Sequence, residues 1–251
     1  MPELAEIRIY ARNLDKLIGG REIEDLRCFT DKDLSSLKSR TVKRVDSYGK
    51  GIYFHLRGGG NLYVHLMLTG GFVYVGKDGY GSVTDKMLAL KTDGRYLIVT
   101  DPKRYAKIEK NFIRPDVPEA AGDGFTVGYF LSLLDKRTAV KNLLTDQSLI
   151  MGIGNAYADE ILYRAGIHPF SRADRLDEKQ GKKLYAAVFD TFDFADGYLR
   201  KYRPDMLSGE DRSFFEVHVR GAEKTSRGEN ISVITRGGRK TYFADSQVLC
   251  K

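Results

Sequence analysis

Apolar residues near the start of the chain recur every three to four positions, at Leu4, Ile7, Ala11, Leu14 and Leu17 or Ile18. That spacing makes one face of a helix. It predicts a helix starting at Pro2 and ended by Gly19-Gly20. From about Glu22 to Glu109 the pattern changes to short aromatic and β-branched runs. "GIYFHL" (51–56) and "NLYVHLML" (61–68) flank "RGGG" (57–60), which reads as a hairpin turn. "MLALKTD" (87–93) and "RYLIVTD" (95–101) pair in the same way around Gly94, and a short helix is expected near Asp33–Ser39. This half predicts an antiparallel β-sandwich flanked by helices.

"RPDVPEAAGDG" (114–124) breaks the pattern with prolines, glycines and acids, and reads as a linker. Helical spacing follows in "TVGYFLSLLD" (126–135), "AVKNLLTD" (139–146), "NAYADEILYRAG" (155–166) and a long stretch from Asp177 to about Arg200. Asp177 with Gln180 three residues on approximates a capping box. Strand patterning returns in "FFEVHVRG" (214–221) and "ISVITRGGRKTYFA" (231–244). The expected class is α+β, in two domains. A helix and sandwich occupy 1–113, a linker 114–124, a helical domain 125–213, and a terminal hairpin 214–251.

Composition narrows the function. The chain has 251 residues, 42% of them hydrophobic, so a sizeable core is available. The net charge of +7 favours a polyanionic partner, most often nucleic acid. The two cysteines, Cys28 and Cys250, exclude a four-cysteine zinc site and a disulfide framework. No apolar run approaches membrane-spanning length, and the start has no signal-peptide core. A soluble protein of a reducing compartment is expected.

The opening "MPELAE" carries two readings. Proline and glutamate suit the first turn of a helix, where the missing N–H has no partner and the dipole favours an acid. Chemically, removal of Met1 would leave Pro2 as a free secondary amine with the acid Glu3 beside it. An α-amino group titrates near ~8, so on the order of a tenth of it is neutral at pH 7. Such an amine is a competent nucleophile.

Three stretches bear on each other: "MPELAE", "LLTDQSLIMGIGNAYADEILYRAGIHP" (143–169) and "GGRKTYF" (237–243). Together, and in order along the chain, they resemble the formamidopyrimidine-DNA glycosylase/endonuclease VIII family. The resemblance implies a β-sandwich behind an N-terminal helix, a helix–two-turns–helix DNA-binding domain, and a small finger. The family's usual finger holds zinc with four cysteines, so this chain resembles the zincless variant, with no metal and no organic cofactor. The implied activity is a bifunctional DNA glycosylase and abasic-site lyase on oxidised purines or oxidised pyrimidines in double-stranded DNA. A monomer without membrane contact is expected, in the nucleoid-bearing cytoplasm of a bacterium or the nucleus of a eukaryote. A non-catalytic damaged-DNA or structured nucleic-acid binder is the alternative.

The resemblance assigns Pro2 as nucleophile and Glu3 as the acid that opens the sugar ring, with an assisting role for Glu6 that competes with a structural one. Lys50 in "YGKGIYFHL" matches the family's lysine on the phosphate of the damaged nucleotide; on the residues alone it is a solvated loop lysine. Asn155, after the Gly152–Gly154 turn, and Lys141 match phosphate-binding positions. Arg239 matches the finger arginine, against the reading of an exposed turn arginine. Leu68, Lys103 and Tyr105 fall where the family fills the hole left by a flipped base. Arginine and phenylalanine are more usual at the last two. Ala5 and Arg8 also depart from the family's proline and acid. The four histidines, His55, His65, His168 and His218, read as structural. Base selection is expected in the loop between about Lys201 and Phe214.

Overall fold

The alternating runs of the first half close two four-stranded antiparallel sheets. The computed structural model describes residues 1–251, which divide into two compact units. The first holds Met1–Pro115 with Leu199–Glu210, the second Asp116–Tyr198 with Asp211–Lys251. Helix α1 (Leu4–Ile18) opens the first unit. Then come β1 (Asp25–Cys28), a 3₁₀ turn at Ser35–Leu37, β2 (Val42–Tyr48), β3 (Gly51–Leu56), β4 (Asn61–His65) and β5 (Gly71–Val75). The short α2 (Lys77–Tyr80), β6 (Lys86–Thr92), β7 (Arg95–Thr100) and β8 (Lys107–Lys110) complete it. The sheets run β1-β6-β7-β5 and β2-β3-β4-β8. One core joins both sheets to α1: Phe54, Leu62 and Val64 meet Phe72, Leu90 and Val99, with Ile7, Tyr10 and Leu14 laid on them.

The β3–β4 and β6–β7 pairings follow the expected turns. The first helix begins later than expected. Glu3 is its N-cap rather than part of its first turn. The strand expected over 61–68 stops at His65, because the His65 ring takes the Met67 N–H at 3.0 Å and Met67 turns the chain with φ of 53°.

In the second unit α3 (Val127–Leu133) is capped by the Thr126 hydroxyl, which accepts from the Tyr129 N–H at 3.2 Å. Helices α4 (Val140–Thr145), α5 (Asn155–Ala165) and α6 (Glu178–Tyr202) follow, the last turn of α6 belonging to the first unit. The capping box of α6 forms as expected, with Gln180 N–H on Asp177 Oδ1 at 2.7 Å and Asp177 N–H on Gln180 Oε1 at 2.9 Å. Strands β9 (Ile231–Arg236) and β10 (Arg239–Ala244) pair in register through Gly237 and Gly238. Both glycines have positive φ, 55° and 74°, the conformation a two-residue hairpin of this twist requires.

Three stretches differ from the pattern-based reading. Residues 114–124 are no loose tether: Ala120 is buried, its N–H bonds to the Met151 carbonyl at 2.9 Å, and the Met151 N–H bonds to the Pro118 carbonyl at 2.9 Å. Residues 203–210 lie on the first unit. Asn13 Nδ2 donates to the Met206 carbonyl at 2.9 Å, the Tyr10 hydroxyl donates to the Gly209 carbonyl, and the Phe72 N–H donates to the Leu207 carbonyl at 3.2 Å. Finally, 214–221 is not a strand. The N–H groups of Glu216, Val217 and His218 all donate to the Glu160 carboxylate, at 2.9, 2.9 and 2.7 Å, which leaves none of the three for a ladder.

Glu160 on α5 therefore folds this strap. Burial holds its carboxyl above the usual range, against the pull of the three N–H groups. Glu160→Ala leaves those donors unsatisfied in a buried site, and urea unfolding should show a loss of about 3 kcal/mol; a change below ~0.5 kcal/mol would mean the strap is held by other contacts.

Candidate active site and nucleic-acid interface

Each unit carries its own group of candidate residues. In the first, the chain end is fixed by reciprocal hydrogen bonds. The Glu3 carboxylate accepts from the Glu6 N–H, and the Glu6 carboxylate accepts from the Glu3 N–H at 3.0 Å. Glu3 and Glu6 are 3% and 0% exposed. A capping box explains the pair structurally, and it also holds an acid one residue from Pro2 in a single orientation. Pro2 is itself buried. The Met1 ammonium lies 2.9 Å from Glu210 Oε2, at the end of the 203–210 segment. Ala5, where the family carries proline, is the second residue of α1 and has no exposure, and alanine is well suited to it.

Lys50 sits in the two-residue β2–β3 turn and is 9% exposed, which rules out a solvated loop lysine. Arg114 braces this hairpin: its guanidinium stacks 4.5 Å from the Tyr53 ring centre and pairs with Asp46. Gly51 follows Lys50 and pairs with His65 on β4; a Cβ at Gly51 would lie 2.2 Å from the Tyr63 ring. Burial, then the positive charges of Lys50 and Lys107, push the His65 imidazole down to about 4. The ring is therefore neutral at pH 7, with Nδ1 the acceptor for the Met67 N–H.

Leu68 and Tyr105 are 54% and 53% exposed, unusual for large apolar side chains, and Lys103 is also exposed. They stand on two loops that one buried carboxylate joins. Asp101 accepts from the Thr69 hydroxyl and from the N–H groups of Lys103 at 3.1 Å, Tyr105 at 2.6 Å and Ala106 at 2.7 Å. Burial raises its carboxyl, but these hydrogen bonds outweigh burial and hold it below the usual range. Asp101 thus fixes the loop that presents Lys103 and Tyr105 and ties it to the residue after Leu68.

In the second unit Asn155 is the first residue of α5, behind the N-cap Gly154, and its Nδ2 donates to the Lys240 carbonyl at 2.8 Å. Arg239 is exposed at the hairpin turn, one residue away. Lys141, which the resemblance sets on a phosphate, is buried. It is 7% exposed, its Nζ lies 2.7 Å from Asp159 Oδ1, and it donates to the Thr241 hydroxyl at 2.8 Å. The residues do not fit a four-thiolate zinc site, because the chain has two cysteines, Cys28 and Cys250.

Sequence reading missed Asp101, Glu160 and Asp159. Asp101 carried a signal, an Asp-Pro step after a strand. Asp159 lies four residues after Asn155, on the same helix face, and a polar residue there inside an apolar helix was the only clue.

A helix-led β-sandwich followed by a helix–two-turns–helix region and a hairpin is the architecture of one class of DNA glycosylase. Residues 1–108 match the formamidopyrimidine-DNA glycosylase N-terminal domain, and residues 117–195 its H2TH domain. The chain is 33% identical to a formamidopyrimidine-DNA glycosylase of Solibacter usitatus over 90% of this chain and 89% of the relative. It is also 33% identical to that of Thermus thermophilus, over 97% of each. The crystal structure of the Thermus thermophilus MutM (Fpg) protein superposes with a TM-score of 0.83 at 29% identity, covering 96% of this chain and 97% of that one. A complex of Lactococcus lactis Fpg with abasic-site DNA gives 0.84 at 25% identity, covering 97% and 98%. The chain belongs to the formamidopyrimidine-DNA glycosylase family.

Two tests follow from the first unit. Asp101→Asn sets an NH₂ against N–H donors. It should cost about 2 kcal/mol and weaken binding to a duplex carrying an abasic-site analogue; unchanged affinity would separate Asp101 from the presentation of Lys103 and Tyr105. His65 is neutral when folded, whereas the unfolded chain takes its proton below about pH 6.5. Stability should therefore fall as pH drops from 6.5 toward 4, by about 3 kcal/mol in all. His65→Gln should remove that portion from a pH series of denaturant midpoints; an identical acid slope in the variant would be the contrary result.

Proposed function

We propose that this protein releases oxidised bases from double-stranded DNA and then cuts the strand at the resulting abasic site, with Pro2 as its nucleophile. The protein is a DNA glycosylase of base excision repair. Loss of Met1 frees the Pro2 nitrogen. Its lone pair forms a bond to C1′ of the damaged nucleotide while the bond from C1′ to the base breaks and the base departs. Glu3 supplies a proton to the sugar ring oxygen, the C1′–O bond opens, and the nitrogen becomes a cationic iminium. That iminium draws electrons as protons leave C2′ and then C4′, so the 3′ and then the 5′ phosphate depart. No metal takes part in this sequence.

The observation that carries the reading is the Glu3 carboxyl, buried and locked by the capping box one residue from Pro2. A helix needs only one cap. Here the cap also sets a proton donor against the single position in the chain that becomes a secondary amine on processing. Lys50, Asn155 and Arg239 hold phosphates of the damaged strand, and Leu68, Lys103 and Tyr105 fill the space of the flipped nucleotide. A lysine at 103 lacks the planar fork that pairs with the orphaned base, so discrimination of the opposite base is weaker than an arginine would give. The name shared by the relatives puts oxidised purines such as formamidopyrimidines first among substrates.

Borohydride trapping on a duplex with a defined lesion tests this. Processed protein should form a covalent adduct; protein that retains Met1 should form none, because the nitrogen is then an amide. Pro2→Gly should trap weakly through its primary amine. Salt-sensitive binding with no adduct on any lesion or abasic site would identify a non-catalytic binder instead.

A further inference from the structure

We propose that Asp159 is a positioning residue for DNA binding: its buried carboxylate clamps the hairpin to the helix–two-turns–helix domain, in the place of a metal ion, and Lys141 serves that clamp rather than a phosphate. Asp159 lies on α5 one turn beyond Asn155 and has no exposure. Oδ2 takes two hydrogen bonds, while Oδ1 makes an ion pair without hydrogen-bond geometry. Oδ1 lies 2.7 Å from the Lys141 Nζ on α4. Oδ2 meets the His218 Nδ1 at 2.7 Å, from the irregular strap, and the Tyr242 N–H at 3.1 Å, from β10. One anion therefore gathers three separate segments onto α5.

A carboxylate out of water is unfavourable unless donors surround it, and an apolar residue of that size can give equal stability. What the anion adds is direction, since each donor must point at it. Lys141 extends the clamp by donating to Thr241, and Asn155 holds the Lys240 carbonyl. Three consecutive residues of β10, Lys240, Thr241 and Tyr242, are thus bound directly after Arg239. Beyond them the hairpin is exposed, from Val233 to Lys240. The direction of Arg239 is consequently set from the base of the hairpin. Two strands alone are marginally stable in water, so a finger without a metal needs such a fixed base.

The proposal rests on the reading of Arg239 and Asn155 as phosphate contacts, and the test separates the two. Hydrogen exchange of the free full-length protein reports on the clamp without DNA. Asp159→Asn should speed exchange at the amides of 239–244 by about tenfold or more while the amides of α6 keep their protection. Binding to a duplex with an abasic-site analogue should weaken by about tenfold, yet in an Arg239→Ala background Asp159→Asn should add less than about twofold. Lys141→Met should weaken binding without changing its dependence on salt, whereas loss of a phosphate contact lowers that slope by about one. If Asp159→Asn does not fold, His218→Leu removes one donor at the more open end of the cluster and is read in the same way.

Unchanged exchange at 239–244, or effects of Asp159 and Arg239 that simply add, would overturn the clamp. A lowered salt slope for Lys141→Met would return Lys141 to the phosphate. Normal affinity in Arg239→Ala, with fast exchange in Asp159→Asn, would instead overturn the phosphate reading and leave the clamp standing.

Discussion

A carboxylate withdrawn from water must be met by donors, and in this protein that demand shapes the irregular segments. Each buried acid recruits backbone N–H groups that no helix or strand has used. Asp101 takes three from one loop and a hydroxyl from another. Glu160 takes three from the strap at 216–218. Asp159 takes one from β10, with a lysine and a histidine beside it. The sheets and helices would form from apolar patterning alone. The loops that carry exposed Leu68 and Tyr105 would not keep one shape without Asp101, because loop backbone has no ladder of its own.

The same logic serves chemistry at the chain start. Glu3 and Glu6 satisfy each other's backbone donors, which is an ordinary way to begin a helix. The consequence is less ordinary: a carboxyl that is buried, oriented and one residue along the chain from Pro2. A lysine nucleophile would need its pKa lowered by several units to be neutral at pH 7. An α-amine needs little help, since its ordinary pKa lies near ~8. The fold has only to place the amine and an acid together, and the cap does both.

Much of this was readable from residue order. Strands β3, β6 and β7, the hairpin β9–β10 and the four helices of the second unit follow from runs and turn residues that act locally. Glu3, Lys50, Asn155 and Arg239 stood out through motifs whose spacing is fixed along the chain. The failures share a cause. "FFEVHVRG" has a strand's alternation, but its amides were claimed by Glu160, more than fifty positions earlier. Lys141 matches a phosphate-binding position, and nothing local reveals that Asp159 sits beneath it. Residues 114–124 span the division between the two units after Pro115, and the Met151 backbone, distant in sequence, ties Pro118 and Ala120 into the second unit. Propensity reports what a segment prefers alone, and these segments were decided by one distant partner each.

The exposed side chains of the first unit carry the remaining consequence. Water does not favour Leu68 and Tyr105 at more than half exposure, so their position stores unfavourable hydration. A stacked base pair opened by extrusion presents apolar faces of its own. On the proposed function, inserting these side chains would remove both surfaces from water together and offset part of the unstacking that base flipping requires. This holds only if the two loops arrive already shaped, since ordering them on contact would consume the gain as lost conformational entropy. Asp101 supplies that shape in advance, through four hydrogen bonds that exist without DNA. On the proposed function, a carboxylate engaged only with its own loops would thereby contribute to extrusion of the base.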